Sequence, residues 1–412
     1  MIINKNFFYF LICFSFLSFM FGYHIQENSA GGGPNDYNHI AVNYNLIFSN
    51  NFTEISWDKY ESSRFPLHYF ITKIYLPLDF GIIRLNNFIL SSIIPIILIF
   101  SLKKKLNYKN KFNYLFLISI SFLIYLSPYF RTTAYWMLEE NFGIFFLIIS
   151  SYFLFSVLYS SKKKILNIIL NLLFIYFAFF CSQNLFVFII INFFILINYF
   201  WKNLFYTFFV CLLNSIFLFL PIFIFYDLFT SLFNNISSAR VDFNVNNIVD
   251  FFSILLVYLL PVSIICFNKN DFLNFYIKYY KLIIIFFGLY LFLFWGHDSD
   301  VLGGGAIKKL LLFFFNKSFF YKFFFIFSSF IGIILSAQII KDKDPKLTFF
   351  IIPYLFFILF SDYVFQEYLD PLFLIYIILF TNFLDSLRKK QIVFLYFYFF
   401  FFLISANIYY LI

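Results

Sequence analysis

Long runs of apolar residues, separated by short polar and basic stretches, occupy nearly the whole chain. They fall near 7–23, 86–102, 112–128, 142–160, 165–180, 185–201, 204–226, 248–267, 279–295, 321–340, 347–361, 371–387 and 391–412. A helix needs about 20 apolar residues to cross a bilayer, so the pattern predicts an all-α polytopic membrane protein with about 13 transmembrane helices, range 11–13. The first run lacks a small-residue cleavage site after it, and Gly22-Tyr23-His24 is a poor substitute, so it reads as a retained span. Most connections are short; the stretch 24–87 is not. Within it Ile40, Tyr44, Ile47 and Phe48 recur at helical spacing, and Leu67, Phe70, Ile71, Ile74, Tyr75 and Leu78 do so more strongly. The pattern predicts two amphipathic helices lying in the membrane interface, with Pro66 opening the second. Gly31-Gly32-Gly33-Pro34 leads into the first, with Asp36 near its N-cap.

Composition narrows the class. Of 412 residues, 63% are hydrophobic and 12% charged, which excludes soluble enzymes, disordered scaffolds and secreted disulfide modules. The 76 Phe, together with abundant Ile, Asn, Lys and Tyr, read as the codon bias of an AT-rich genome, so most aromatics carry no functional message. Cys13, Cys181, Cys211 and Cys266 lie inside or at the ends of apolar runs with no CxxC pattern, indicating neither a metal nor a disulfide. No repeat of 20 to 50 residues is visible, and the sequons at Asn51 and Asn235 arise by chance in an Asn-rich chain. The net charge of +9 sits in short clusters between apolar runs, a pattern of membrane orientation with no nucleic-acid partner.

With the N-terminus cytoplasmic, the inner side receives Lys5, Lys103 to Lys105, Lys109, Lys111, Lys162 to Lys164, Lys202, Lys269, Lys278, Lys281, Lys341, Lys343, Lys346 and Arg388 to Lys390, 19 of the 29 basic residues. The outer side receives all but four of the 20 acids, Asp271, Asp342, Asp344 and Asp385 being the exceptions, and all four histidines fall outside or at that boundary. Acidic charge matters little for insertion, so the outer face holds more carboxylates than topology requires.

Two outer segments concentrate candidate chemistry. The first, 24–87, carries Asp36, His39, Glu54, Asp58, Lys59, Glu61, Arg64, His68, Asp79 and Arg84. Asp36 admits two readings, a helix cap or a reacting carboxylate. Gly31 to Gly33 admit a flexible turn or a phosphate cradle, although the GxxxxGK[ST] pattern is missing. The second segment, Ser127 to Asn141, sets Arg131 against Glu139 and Glu140 at the membrane edge, where an ionisable group is costly unless paired or working. A structural pair between Arg131 and one of these acids is one reading; a site is the other. Three further segments are less informative: 227–247 reads as a solvated loop, 296–309 as a solvated run in which His297, Asp298 and Asp300 could also ligate a metal, and 362–371 as a tyrosine- and acid-rich stretch that could form a sugar-binding rim.

The order of these features resembles the membrane glycosyltransferases of the GT-C superfamily, especially the bacterial relatives of protein mannosyltransferases and of the enzyme that adds aminoarabinose to lipid A. In that family one span precedes a long outer loop with an early acid, and Asp36-Tyr37-Asn38-His39 stands where that acid is expected. Arg64-Phe65-Pro66-Leu67-His68-Tyr69 and Phe80-Gly81-Ile82-Ile83-Arg84 match the Pro-Leu-aromatic helix and the aromatic-Gly pair with its following Arg. Ser127-Pro128 through Arg131 to Glu140-Asn141-Phe142 matches the next outer loop. The likeness covers about residues 1–200, a catalytic transmembrane module, with 201–412 as further helices of the same membrane domain and no separate soluble domain. Gln183 or Asn184 stands where many relatives carry a basic residue.

The resemblance implies inverting transfer of a sugar from a polyprenyl-phosphate donor to a lipid, glycan or protein acceptor on the non-cytoplasmic face of the plasma (inner) membrane. It implies Asp36 as general base and Glu139 or Glu140 as a second carboxylate. It also implies Arg131, Arg64 and Arg84, with His39 and His68, as substrate- or phosphate-binding groups, and a divalent cation at Asp36 and Glu140 as an option. A flippase or transporter of lipid-linked saccharides is the main alternative and predicts ionisable residues inside several spans, whereas 142–267 holds few. An O-antigen-type polymerase is disfavoured because its longest outer loop belongs to the later half of the chain.

Overall fold

The computed structural model describes residues 5–51, 54–62, 64–106, 114–160, 163–230, 243–296, 303–361 and 363–411. Several sequence expectations lie outside these residues: those on Phe52, Thr53, Lys109, Lys111, Lys162, Asn235, Arg240, Asp242, His297, Asp298, Asp300 and Asp362. Among the described residues every regular element is helical, and ten helices are long and apolar enough to cross a membrane. An eleventh crossing is possible where Tyr114–Leu126 and Pro128–Tyr135 form a pair bent by 70°. The chain is therefore an all-α, multi-pass, membrane-embedded protein. It divides into two compact units, Met1–Ala239 with Phe399–Ile412, and Arg240–Tyr398.

In the first unit, α1 (Lys5–His24) buries Phe8, Leu11, Ser15, Phe19 and Gly22, a single stripe at helical spacing. The segment after it forms α2 (Gly33–Ser49) and α3 (Leu67–Tyr75). Helix α4 (Phe80–Leu106) follows, then α5 (Tyr114–Phe122), whose last turns tighten into a 3-10 helix over Leu123–Leu126. The bend comes next because Pro128 has no amide hydrogen to continue a helix and Ser127 is extended, its hydroxyl accepting from the Phe130 amide at 3.1 Å to open α6 (Pro128–Tyr135). Helices α7 (Glu140–Tyr159), α8 (Lys164–Cys181) and α9 (Phe186–Phe200) are joined by a buried polar ladder. Ser150 donates to the Asn171 carbonyl at 2.9 Å, Asn171 donates back to the Ser150 hydroxyl at 2.9 Å, and Asn192 donates to the Asn171 side chain at 3.0 Å. Such bonds hold helices together where apolar burial against lipid gives little drive. Helix α10 (Leu204–Ile224) completes the set and buries only Val210.

Helix α3 keeps its apolar stripe on the exposed side. Its buried residues are His68, Tyr69 and Thr72, while Ile74 is 84% exposed and Leu78 is also exposed. An interfacial helix lays its apolar stripe outward into lipid, and its polar face is then free to turn into the protein.

The second unit centres on the helix Asn247–Cys266, which is buried along most of its length and packs against Phe319–Asp342, with Gly332 placed against the Phe252 carbonyl where a larger residue would collide. Two of the expected spans are shorter than a crossing. Pro345–Ile358 has Pro353 inside it, and 371–387 is split into Leu372–Phe380 and Phe383–Ser386 by an irregular step. Nine residues rise only about 14 Å, half the hydrocarbon thickness, and all nine of Leu372–Phe380 are buried, so this run serves as protein core. Lys308, expected in a solvated run, is instead 1% exposed and 3.9 Å from the Asp250 carboxylate. Asp370 is likewise buried, which removes it from any exposed rim.

Candidate functional site

The long connection after α1 and the turn before α7 meet in one cluster of charged side chains. Arg64, just before α3, places its Nη1 2.7 Å from Glu139 Oε1 and also donates to Glu140 Oε1. Both glutamates are buried, while the guanidinium stays about a quarter exposed. One arginine thus bridges two neighbouring carboxylates, and the expected pairing of Arg131 with Glu139 or Glu140 does not occur. Arg131 turns the other way. It is 2% exposed, its Nε lies 2.9 Å from Glu27 Oε1, its Nη2 donates to Glu27 Oε2, and further donors reach the Tyr125 and Ser18 carbonyls at 3.1 and 2.8 Å. With its fork spent on Glu27, Arg131 fits a structural clamp, contrary to the phosphate-binding role expected from its position.

Glu27 is the residue that sequence reasoning missed. The lone acid directly beyond the first apolar run was a usable signal, because a carboxylate at that depth requires a partner. Asn407, on the helix Lys389–Leu411, adds a 3.0 Å bond to the same carboxylate.

The glutamate pair is held by its neighbours. Asn87 of α4 donates to the Thr133 carbonyl at 2.9 Å and to the Leu138 carbonyl at 3.3 Å, and Asn141 donates to the Ser91 hydroxyl and the Phe130 carbonyl at 2.8 and 3.0 Å. The Tyr135 hydroxyl donates to the Phe19 carbonyl at 2.6 Å. Between these anchors the chain turns sharply at Met137, φ 62, which delivers Glu139 and Glu140 to the start of α7.

Asp36 stands in the first turn of α2 and does not cap it. The N-cap is Gly32 in the left-handed region, φ 78, with no side-chain bond to the helix, and Pro34 follows inside the first turn. Gly31 is left-handed as well, φ 76, and Gly33 rests against the Trp136 ring, so the triplet is a tight turn packed on aromatics. Asp36 keeps an exposed edge, yet burial of its carboxyl, followed by repulsion from Glu140 and, less strongly, Glu139, pushes it up to about 6 against the pull of Arg64 and His39. These interactions set Asp36 beside the Arg64–Glu139–Glu140 group. His39, one turn further along α2, is exposed and 3.2 Å from Glu61 at the rim.

His68 is 1% exposed between Tyr44, Tyr69 and Phe142, with ring centroids 6.0, 3.7 and 6.1 Å away, and among the described residues neither ring nitrogen has a hydrogen-bond partner. Burial drives its pKa down to about 3, overriding the upward pull of Glu140, so the ring is neutral. Burial likewise raises the Tyr44, Tyr60 and Tyr69 hydroxyls, which stay protonated. Arg84 occupies a different setting: its Nε donates to the Tyr135 carbonyl at 2.6 Å, the guanidinium lies 5.0 Å from the Tyr23 ring centroid and 5.6 Å from that of Trp136, and among the described residues it has no carboxylate partner. Among the described residues no three of His, Cys, Asp and Glu gather in a way that could hold a metal ion.

The cluster therefore joins a poised carboxyl, two arginine-bridged glutamates and a neutral imidazole, chemistry suited to proton removal and to holding hydroxyl groups. Compared with protein-family models, curated proteins and solved structures, the chain matches none of them.

Proposed function

We propose that the chain is a membrane glycosyltransferase of the GT-C type that moves a sugar from a polyprenyl-phosphate carrier to a hydroxyl acceptor on the non-cytoplasmic face of the plasma membrane. The observation that carries this reading is the raised acid, Asp36, open to solvent on one edge and next to two acids anchored by Arg64. A carboxyl with a pKa of about 6 is ionised at neutral pH and more basic than an ordinary aspartate, as a general base requires.

In the reaction, Asp36 takes the acceptor's proton as the acceptor oxygen forms its bond to C1. The bond from C1 to the carrier phosphate breaks on the opposite side, and the phosphate leaves with the electron pair, inverting the anomeric centre. Arg84, which has no carboxylate partner among the described residues, receives that phosphate; its planar fork suits two oxygens at once. The arrangement also agrees with membrane parity. The connection after the first span and the turn before α7 share a cluster, as they must if α1 and α4 are crossings and the bent α5 segment is the third. The N-terminus is then cytoplasmic, and eleven to thirteen crossings are reached according to whether the short 345–358 and 372–386 helices are counted.

Asp36→Asn tests the reading. Since Asp36 makes no capping bond, the amide should leave expression and Tm unchanged while transfer from a panel of polyprenyl-phosphate sugars falls about 10²- to 10⁴-fold. Near-normal transfer would move the base to Glu139 or Glu140.

A further inference from the structure

Four buried polar atoms of this cluster have no hydrogen-bond partner among the described residues: Glu139 Oε2, Glu140 Oε2, and both ring nitrogens of His68. They belong together. Arg64 bridges the other oxygens of the two glutamates, His68 stands four residues beyond Arg64 in the first turn of α3, and its ring packs on Phe142 in the same first turn of α7 that Glu140 opens. A buried polar atom left unpaired costs about 1–3 kcal/mol, and four in one place are not accounted for by packing alone.

The donor and acceptor balance decides what fits. Each glutamate oxygen accepts, and a neutral imidazole offers one donor and one acceptor, so the group presents three acceptors to one donor. A phosphate, which only accepts, is wrong on both hydrogen bonding and charge beside two carboxylates. A ring with neighbouring hydroxyls, each able to donate and accept, satisfies all four atoms. We propose that His68, with the unpaired oxygens of Glu139 and Glu140, binds the hydroxyl groups of an uncharged sugar ring, and is the residue set that recognises the transferred sugar. This rests on the glycosyl-transfer reading for the ring's role, but the binding is separable from transfer.

The test uses the full-length protein in nanodiscs and saturation-transfer NMR with free glucose, mannose, galactose, xylose and N-acetylglucosamine at millimolar concentration, with inorganic phosphate and methylammonium as competitors. At least one sugar should bind, with affinity reduced tenfold or more in His68→Phe and retained in His68→Gln, which keeps a donor and an acceptor. His68→Phe should also raise the Tm of the free protein, because it removes two unpaired nitrogens while keeping a ring. No sugar binding, binding unaffected by His68→Phe, or His68-dependent displacement by phosphate or methylammonium would each overturn the proposal. Sugar binding by a protein that transfers nothing from any polyprenyl-phosphate donor would sink the transferase reading and leave this one standing. Transfer at the normal rate by His68→Phe would do the reverse.

Discussion

Replacing Glu140 by Gln should move the acid limb of the pH–rate profile. Asp36 is raised from 3.8 to about 6 first by burial and next by Glu140, so the amide removes the largest charge that opposes ionisation and frees Arg64 to act more strongly on Asp36. In the wild type about half of Asp36 is ionised at pH 6, about nine-tenths at pH 7 and about one-tenth at pH 5. If the base form limits turnover, the rate climbs across that interval and levels above it. The variant's midpoint should fall between 3.8 and about 6, because burial persists, and its rate at pH 5 relative to its own plateau should rise by up to about tenfold. The plateau itself falls if Glu140 holds substrate, which is why profile shape is the readout. Initial rates in proteoliposomes supplied with a polyprenyl-phosphate sugar, measured from pH 4.5 to 8, give it directly. A midpoint that stays at 6 or moves upward would refute the electrostatic link between Glu140 and Asp36. The stability sign is opposite to the rate: between 3.8 and about 6 the folded protein holds the Asp36 proton more tightly than the unfolded chain does, so this group's contribution to stability is lost as pH rises through that window.

Three further outcomes are expected. Arg131→Met should destabilise by about 3–5 kcal/mol, because it strands the buried Glu27 carboxylate, and the Arg131→Met/Glu27→Met double variant should recover much of the lost Tm; a single variant as stable as wild type would remove the clamp. Arg84→Lys should keep Tm but lower kcat about 10²-fold with the polyprenyl-phosphate donor, since an ammonium cannot match the guanidinium fork, and full activity would exclude Arg84 from the phosphate. Reporter fusions after Lys105 and Lys164 should read cytoplasmic and one after Asn51 external, and a cytoplasmic Asn51 would place Asp36 on the wrong side for lipid-linked donors.

Much of the scaffold could be read from the sequence because hydrophobic runs of about 20 residues have one stable solution in lipid. Ten of the expected spans appear as long helices. The failures were local and physical. Run length alone could not distinguish 371–387, split into two short helices of which Leu372–Phe380 is wholly buried, from a lipid-facing span. Glu139 and Glu140 stand out by their position at the membrane edge, Asp36 and Arg64 by the family resemblance; Arg64 does bridge the two glutamates, and Asp36 lies within their electrostatic reach. The partner of Arg131 was not foreseen, since sequence shows which charges need partners but not which distant one will arrive.

The Glu27 carboxylate, bonded by both Arg131 and Asn407, has a bearing on how the protein is made. The Asn407 contact joins positions 380 apart in sequence, so during synthesis Glu27 and Arg131 enter the bilayer long before that contact can form. The nascent chain must carry a charged pair at the membrane edge through the insertion of every intervening helix, and the Asn407 bond closes a loop of 380 residues. Ribosome stalling or truncation ahead of Asn407 would therefore leave the early helices inserted but incompletely locked, a species that quality-control proteases in the membrane could distinguish from the finished protein.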